Sequence, residues 1–468
     1  MKPNYNKIIL EGLPLIIVGL MALSIWKVYY PALMSPDSFA QYRQALRGVY
    51  SDLHPPIMAK VLHCFMRLGR GIAAVTLLQS LFGCFGIYLL SKTILRFFRI
   101  SGDISIWAPL ILFLFLLTPL FPLPFFLMVF WKDSWLTIGI LWITYLILQI
   151  SQVKNRRSKK YYFLFYLLSL LMLFVILVRH NAIMLAPLFI LILYSILYNP
   201  HTYQRPVRRI ILCSYPILFY FIISYFINDV GVNKSDIPQN QIYASESLGV
   251  LVNDSNDKKY LPYIYGHLTL NYKELYKPAY VDLVLWYGKE KAVDKTFDIH
   301  NKELVSQYYT LFMNAPLALF KVKWDDFATM IIPFRPKYYC QMGLSPNPYG
   351  LVQNPKYNSI RETWNKATAD LFYNNSGKTI ARLCFNEHLI WIIVNLILTI
   401  LFAIKGLRTY KIWVYILLIP LTYYASYLLA TPMNDFRYMY PSTLLVQIMT
   451  FSLLVAFVSK RLLLKRTE

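Results

Sequence analysis

The sequence predicts an all-α polytopic membrane protein, and two observations carry that prediction. Of its 468 residues 57% are hydrophobic and only 15% charged, where an ordinary soluble domain is nearer a quarter charged. Apolar runs close to the ~20 residues a helix needs to cross a bilayer recur about ten times. The expected spans are 8–29, 71–95, 104–119, 134–152, 161–178, 182–198, 210–227, 388–402, 412–430 and 439–458. Lys2 and Lys7 before the first run imitate a signal peptide, but the bulky "WKVYYPALM" that follows offers no small-residue cleavage pattern, so an uncleaved first helix is expected.

The net charge of +24 is a matter of placement. Lys and Arg gather in "KTILRFFR", "KNRRSKK", "RPVRR", "KGLRTYK" and "KRLLLKR", which are alternate connections of the ten-helix arrangement. This positive-inside pattern puts both termini in the cytoplasm and leaves nothing for nucleic acid to explain. Most of the 23 acidic residues fall instead between Asp229 and Glu387. The expected organisation is a seven-helix catalytic module over 1–228, a mixed external domain over 229–387 and a three-helix module over 388–468. Of the five cysteines only Cys340 and Cys384 fall in that external domain, where they could form one disulfide.

The remaining charged clusters all map to the outer connections: the 34–70 loop, "WKDS", "RHNA" and "NDFRYMYP". Helix interiors hold almost no ionisable group, with Glu11 the main exception. An ion-coupled transporter or flippase would place such groups at mid-membrane depth, so the work of this chain is expected at its outer surface.

In the first outer loop, Ser35-Pro36-Asp37 reads as a helix start: Ser as N-cap, Pro at the first position and a carboxylate in the first turn. Asp37, Gln41 and Gln44 share one face of that helix, Phe39, Tyr42 and Leu46 another, and Gly48 ends it. A second helix over 55–70 carries Lys60, His63, Arg67 and Arg70 as one basic stripe. Both are expected to lie in the membrane interface, with His54 and Asp52 between them. The same outer surface collects Lys132, Asp133, Arg179, His180, Asn181, Asp435 and Arg437.

A carboxylate facing several cations at a membrane surface suits transfer of a sugar from a polyprenyl phosphate. Fixed Arg and Lys stabilise the charge developing on the phosphate leaving group, and an Asp beside the acceptor hydroxyl serves as general base. At a capping position the same Asp contributes only ~0.3–1 kcal/mol through the helix dipole, and outward Arg side chains also snorkel.

The arrangement "PDSFAQY…DLHPP", the seven helices before a large external segment, and "RYMYP" at a late helix resemble the C-type (GT-C) glycosyltransferases, among them protein O-mannosyltransferases and lipid A aminoarabinose transferases. The resemblance spans most of the membrane part through short motifs. It implies a polyprenyl-phosphate-linked sugar as donor, a glycan, lipid or protein acceptor, and an outward-facing site in the cell membrane. It makes Asp37 the catalytic base or a metal-binding residue, makes His54 of "HPP" a shaper of the site, and sets Arg437 on the donor phosphate. "WKD" and "RHNA" resemble motifs of bacterial members, which adds Lys132 and Arg179 to the phosphate site and Asp133 and Asn181 as supports, beside Gln41, Asp52 and Asp435. Several relatives carry a second acidic residue where this chain has Ser38, so the need for a divalent metal stays open. The competing class is a polymerase or ligase acting on lipid-diphosphate oligosaccharides.

Overall fold

A computed structural model describes residues 5–156, 158–197, 218–235, 237–253, 276–281, 303–333, 341–372 and 380–464. The chain is an all-α, multi-pass membrane protein. Among the described residues seven helices are long and apolar enough to span: Leu10–Val28 within α1 (Tyr5–Val28), α4 (Gly71–Phe97), α7 (Lys132–Ser151), α8 (Lys159–Val178), the run His180–Leu197 that opens as a 3-10 turn and continues as α9 (Ala186–Leu197), Tyr410–Leu429 within α16 (Leu407–Leu429), and Phe436–Arg461 within α17 (Phe436–Leu464). An eighth is available if α14 (Ile380–Asn386) and α15 (His388–Ile404), bent by 55° at their junction, act as one span.

Of the expected ten runs, 104–119 and 210–227 give only shorter apolar helices among the described residues. The 104–119 run yields only α5 (Ile104–Leu116), 13 residues, or about 20 Å of helix against a hydrocarbon core of ~30 Å. The proline-rich stretch after it, Thr118 to Pro124, turns the chain instead into the six-residue α6 (Leu123–Met128). Of the 210–227 run, residues 210–217 lie outside the described residues and Leu218–Asp229 is a short apolar helix.

The spanning helices pack around one hydrophobic core drawn from nearly every helix, including Met330 and Phe372 of the intervening segment. Close approach is visible where α7 meets α8: a Cβ at Gly139 would collide with Val175, the small-residue contact that lets membrane helices come together. The α7–α8 hairpin turns through only seven residues, 152–158, so the start of α7 and the end of α8 lie together.

Among the described residues the 229–387 segment carries α10 (Ile237–Asn253), α11 (Glu303–Asn314), α12 (Pro316–Ile331) and α13 (Asn358–Phe372). A second small core joins α10, α11 and α12 through Ala244, Leu248, Leu251, Leu311 and Val322. The sheet structure is a two-stranded parallel pair, β1 (Tyr50–Ser51) with β2 (Val232–Asn233). Cys384 is a free thiol and Cys340 lies outside the described residues.

Candidate active site

The first outer helix forms as its sequence dictates. In α2 (Pro36–Arg47) the Ser35 hydroxyl accepts from the Ser38 N–H in a reciprocal capping box, Pro36 opens the helix, and Gly48 closes it at φ 66°. The cap does more than start a helix. Ser38 Oγ donates to the Phe130 carbonyl at 2.8 Å, and Trp131 Nε1 donates to Ser35 Oγ at 2.7 Å. Backbone bonds from Leu33 to Met128 and from Phe130 to Leu33, both 3.0 Å, complete the junction. Asp37 is thereby fixed beside the first turn of α7.

Around Asp37 the structure gathers most of the expected residues. Arg437 Nη2 lies 2.9 Å from Asp37 Oδ2, and Arg437 Nε lies 2.7 Å from Asp435 Oδ2. Its guanidinium sits over the Trp131 ring, 4.7 Å from the centroid, and 5.1 Å from that of Tyr438, a stacking arrangement arginine accepts better than lysine. His54 Nε2 approaches Asp37 Oδ1 at 3.7 Å, while His54 Nδ1 lies 3.1 Å from Lys132 Nζ. An ammonium can only donate, so Nδ1 is the acceptor and the ring proton of a neutral His54 is on Nε2, facing Asp37. Burial and then Lys132 drive the imidazole down to about 3, which keeps it neutral. His54 therefore orients Asp37 and Lys132 and is a poor proton acceptor.

Burial pushes the Asp37 carboxyl up, but the charges of Arg437 and Lys132 hold it well below the usual carboxylate range. Asp435 is pushed up to about 6 by burial, opposed by the charge of Arg437. Asp37 nevertheless keeps 31% of its side chain exposed, so a carboxylate oxygen remains reachable.

Arg179 belongs to an adjoining pair. The α7–α8 hairpin brings it to Asp133 as a buried ion pair, and its guanidinium stacks 4.3 Å from the Tyr438 centroid. Arg179 Nε donates to Asn181 Oδ1 at 2.9 Å, and Asn181 passes the contact to Ser426 on α16 at 3.1 Å. Tyr438 lies between the two arginines and couples their positions. Lys132 stands apart: among the described residues it makes no ion pair with a carboxylate, and it opens a helix whose start has no side-chain cap. Uncapped N–H groups and a positive dipole end favour an anion there.

Asp52 does not join the cluster; its Oδ1 accepts from the Ser235 N–H at 2.6 Å and helps hold β1 against β2. Gln41 is buried on α2, and its Oε1 has no hydrogen-bond partner among the described residues. The basic stripe of α3 (Ile57–Arg67) is partly consumed by the fold: Lys60 donates to the carbonyls of Phe226 and Val230, and His63 Nδ1 meets the Ala45 carbonyl at 2.6 Å.

Chain comparison adds no relative. Family models, curated proteins and solved structures give no match to this sequence.

Among the described residues no three His, Cys, Asp or Glu side chains converge as ligands, and position 38 is a fully buried serine bonded to a carbonyl. Sequence reasoning missed the aromatic walls, Trp131 and Tyr438, although each stands next to a cation at the start of a spanning helix.

Proposed function

We propose that the chain is a glycosyltransferase of the GT-C kind, moving a sugar from a polyprenyl phosphate to a cell-envelope acceptor on the outer face of the membrane. The observation that carries this reading is the half-open Asp37–Arg437 pair, 2.9 Å apart, next to Lys132, which has no carboxylate partner among the described residues. Orientation follows from α7. Its first residue contributes to the site, and the connection beyond its other end carries Lys154, Arg156, Arg157, Lys159 and Lys160, so the positive-inside rule turns the site outward and both termini inward.

In the resting state Arg437 is occupied by Asp37. An arriving phosphate, with its lipid tail in the adjacent leaflet, competes for the guanidinium and for Lys132, and Asp37 is released. Losing its cation raises the basicity of that carboxylate at the moment it is needed. The acceptor hydroxyl oxygen then bonds to the anomeric carbon, its proton passes to Asp37, and the carbon–phosphate oxygen bond breaks with its electron pair leaving on the phosphate. Arg437 and Lys132 stabilise that charge in a partly desolvated setting. Arg179 and Asp435 hold the aromatic and ionic walls in place.

The test is a transfer assay with purified protein, comparing sugars on polyprenyl monophosphate with oligosaccharides on polyprenyl diphosphate. Turnover of the monophosphate donor is expected. Turnover confined to the diphosphate donor means a polymerase or ligase and overturns the assignment.

A further inference from the structure

One cavity lies away from the charge cluster. It is a surface groove of about 610 Å³, within the ~300–1,000 Å³ typical of small-molecule sites, formed by the 344–353 loop and α13. Its lining includes Ser345, Asn347, Gln353, Arg361, Glu362 and Asn365.

This groove is tied to α2. Met34 and Leu344 pair as a β-bridge, and Tyr349 stacks on Phe39 with centroids 6.0 Å apart and leans on Tyr42 at 5.1 Å. Those two aromatics occupy a different face of α2 from Asp37. One short helix thus carries the proposed base on one side and the loop that walls the groove on the other.

The lining is rich in amides and nearly without free charge. The guanidinium of Arg361 is engaged by the carbonyls of Val28 and Asn354, at 2.7 and 2.8 Å, and by the Asn358 side chain, and Glu362 balances its charge. Two polar atoms in the lining are buried and have no hydrogen-bond partner among the described residues: Gln353 Nε2, a donor, and Asn365 Oδ1, an acceptor. A buried unsatisfied donor or acceptor is costly to the fold, and rotation of either side chain into the groove would let a hydroxyl, which donates and accepts through one atom, satisfy it.

We infer that this groove binds a neutral, hydroxyl-rich glycan, and that it is the acceptor site of the transferase. The second half rests on the function proposed above, and the first half stands without it. A cationic or anionic polymer would find one charge of each sign here and no run of either.

The experiment is binding of short neutral gluco-, manno- and galacto-oligosaccharides to the full chain in detergent, followed by intrinsic tryptophan fluorescence, with a sulfated oligosaccharide as anionic control. It needs no donor, so a failed transfer assay leaves this result readable, and a failed binding assay leaves the donor chemistry standing. Saturable binding of at least one neutral series is expected. Gln353→Leu and Gln353→Glu should each weaken it about 10-fold, the effect of one lost hydrogen bond, and Ser345→Trp at the exposed rim should abolish it. The Gln353 amide nitrogen bonds nothing among the described residues, so these variants should melt like the parent. No binding of any neutral oligosaccharide, binding of the sulfated control alone, or equal binding by all three variants overturns the proposal.

Discussion

Two clusters of buried charge among the described residues are built differently. In the 229–387 segment, Glu246 is 2% exposed and is held by Lys323 at 2.7 Å and by the Tyr308 hydroxyl, while Lys323 also donates to the Leu429 carbonyl at 2.6 Å. Nearby, Asp326 accepts from the Ala279 N–H at 2.8 Å and the Tyr276 hydroxyl at 3.4 Å. Every acid there has its donors, and the cluster is closed. At the end of the bundle, Asp37 is 31% exposed, and among the described residues Lys132 bonds the His54 imidazole and pairs with no carboxylate. A closed, fully paired cluster fixes a fold; a cluster with an exposed carboxylate and a cation in reserve is arranged to receive something.

The two are mechanically joined. Residues 276–281 lie against 432–434, with Asn434 N–H donating to the Ala279 carbonyl at 2.7 Å and Val281 N–H to that of Pro432 at 3.1 Å. Asp326 therefore braces the turn that ends in Asp435 and Arg437, and the closed cluster positions the open one.

The largest expected effect breaks the open cluster at its carboxylate. Asp37→Asn should lower turnover on the order of 100-fold or more with folding intact, since the Ser35 cap and Pro36 remain; near-parental kcat in a folded variant would reduce Asp37 to a helix-dipole residue. Next is Arg437→Ala, for which donor affinity should fall about 10- to 150-fold, the range of one charge-assisted hydrogen bond. Arg437→Lys should recover part of this, because the charge returns without the planar fork or the stacking on Trp131. Equal behaviour of the Lys variant and the parent would point to simple charge placement.

The closed cluster should respond in stability instead. Burial pushes the Asp326 carboxyl up to about 7, with the Ala279 N–H pulling the other way. The folded chain then holds this proton more tightly than the unfolded chain does, so Asp326 makes stability decline as pH rises from about 4 to about 7. Asp326→Asn keeps the acceptor for Ala279 and removes that titration. Melting curves of parent and variant across this window should diverge with rising pH in favour of the variant, and parallel curves would contradict the assignment. Smallest is Asp52→Asn. It retains the acceptor for Ser235 and loses only a 3.9 Å pair with the exposed Lys234, so less than about 1 kcal/mol is expected, with turnover close to parental.

Much of this was legible in the sequence for local reasons. The α2 cap depends on Ser35, Pro36 and Gly48 alone, and the long apolar runs predict helices because lipid leaves the backbone no other partner. That Asp133 would meet Arg179 follows from a short hairpin. Other features depend on partners far along the chain. Nothing near Lys60 signals that its ammonium would be taken by Phe226 and Val230, and nothing near Asp52 signals Ser235. The pairing of Asp37 with Arg437 joins residues 400 positions apart, and only packing decides it. The length of α5 was not legible, because apolarity extends past the point where Pro119, Pro122 and Pro124 stop the helix.

The central claim is that Arg437 is exchanged from Asp37 to the donor phosphate. It is tested most directly by equilibrium binding of a polyprenyl phosphate to the parent, Asp37→Asn and Arg437→Ala in matched detergent preparations. Without a carboxylate to compete for the guanidinium, Asp37→Asn should bind the lipid phosphate at least as tightly as the parent while Arg437→Ala binds it about 10-fold or more weakly. Loss of binding in Asp37→Asn as large as that in Arg437→Ala would mean the pair acts as one structural unit, and the exchange would be wrong.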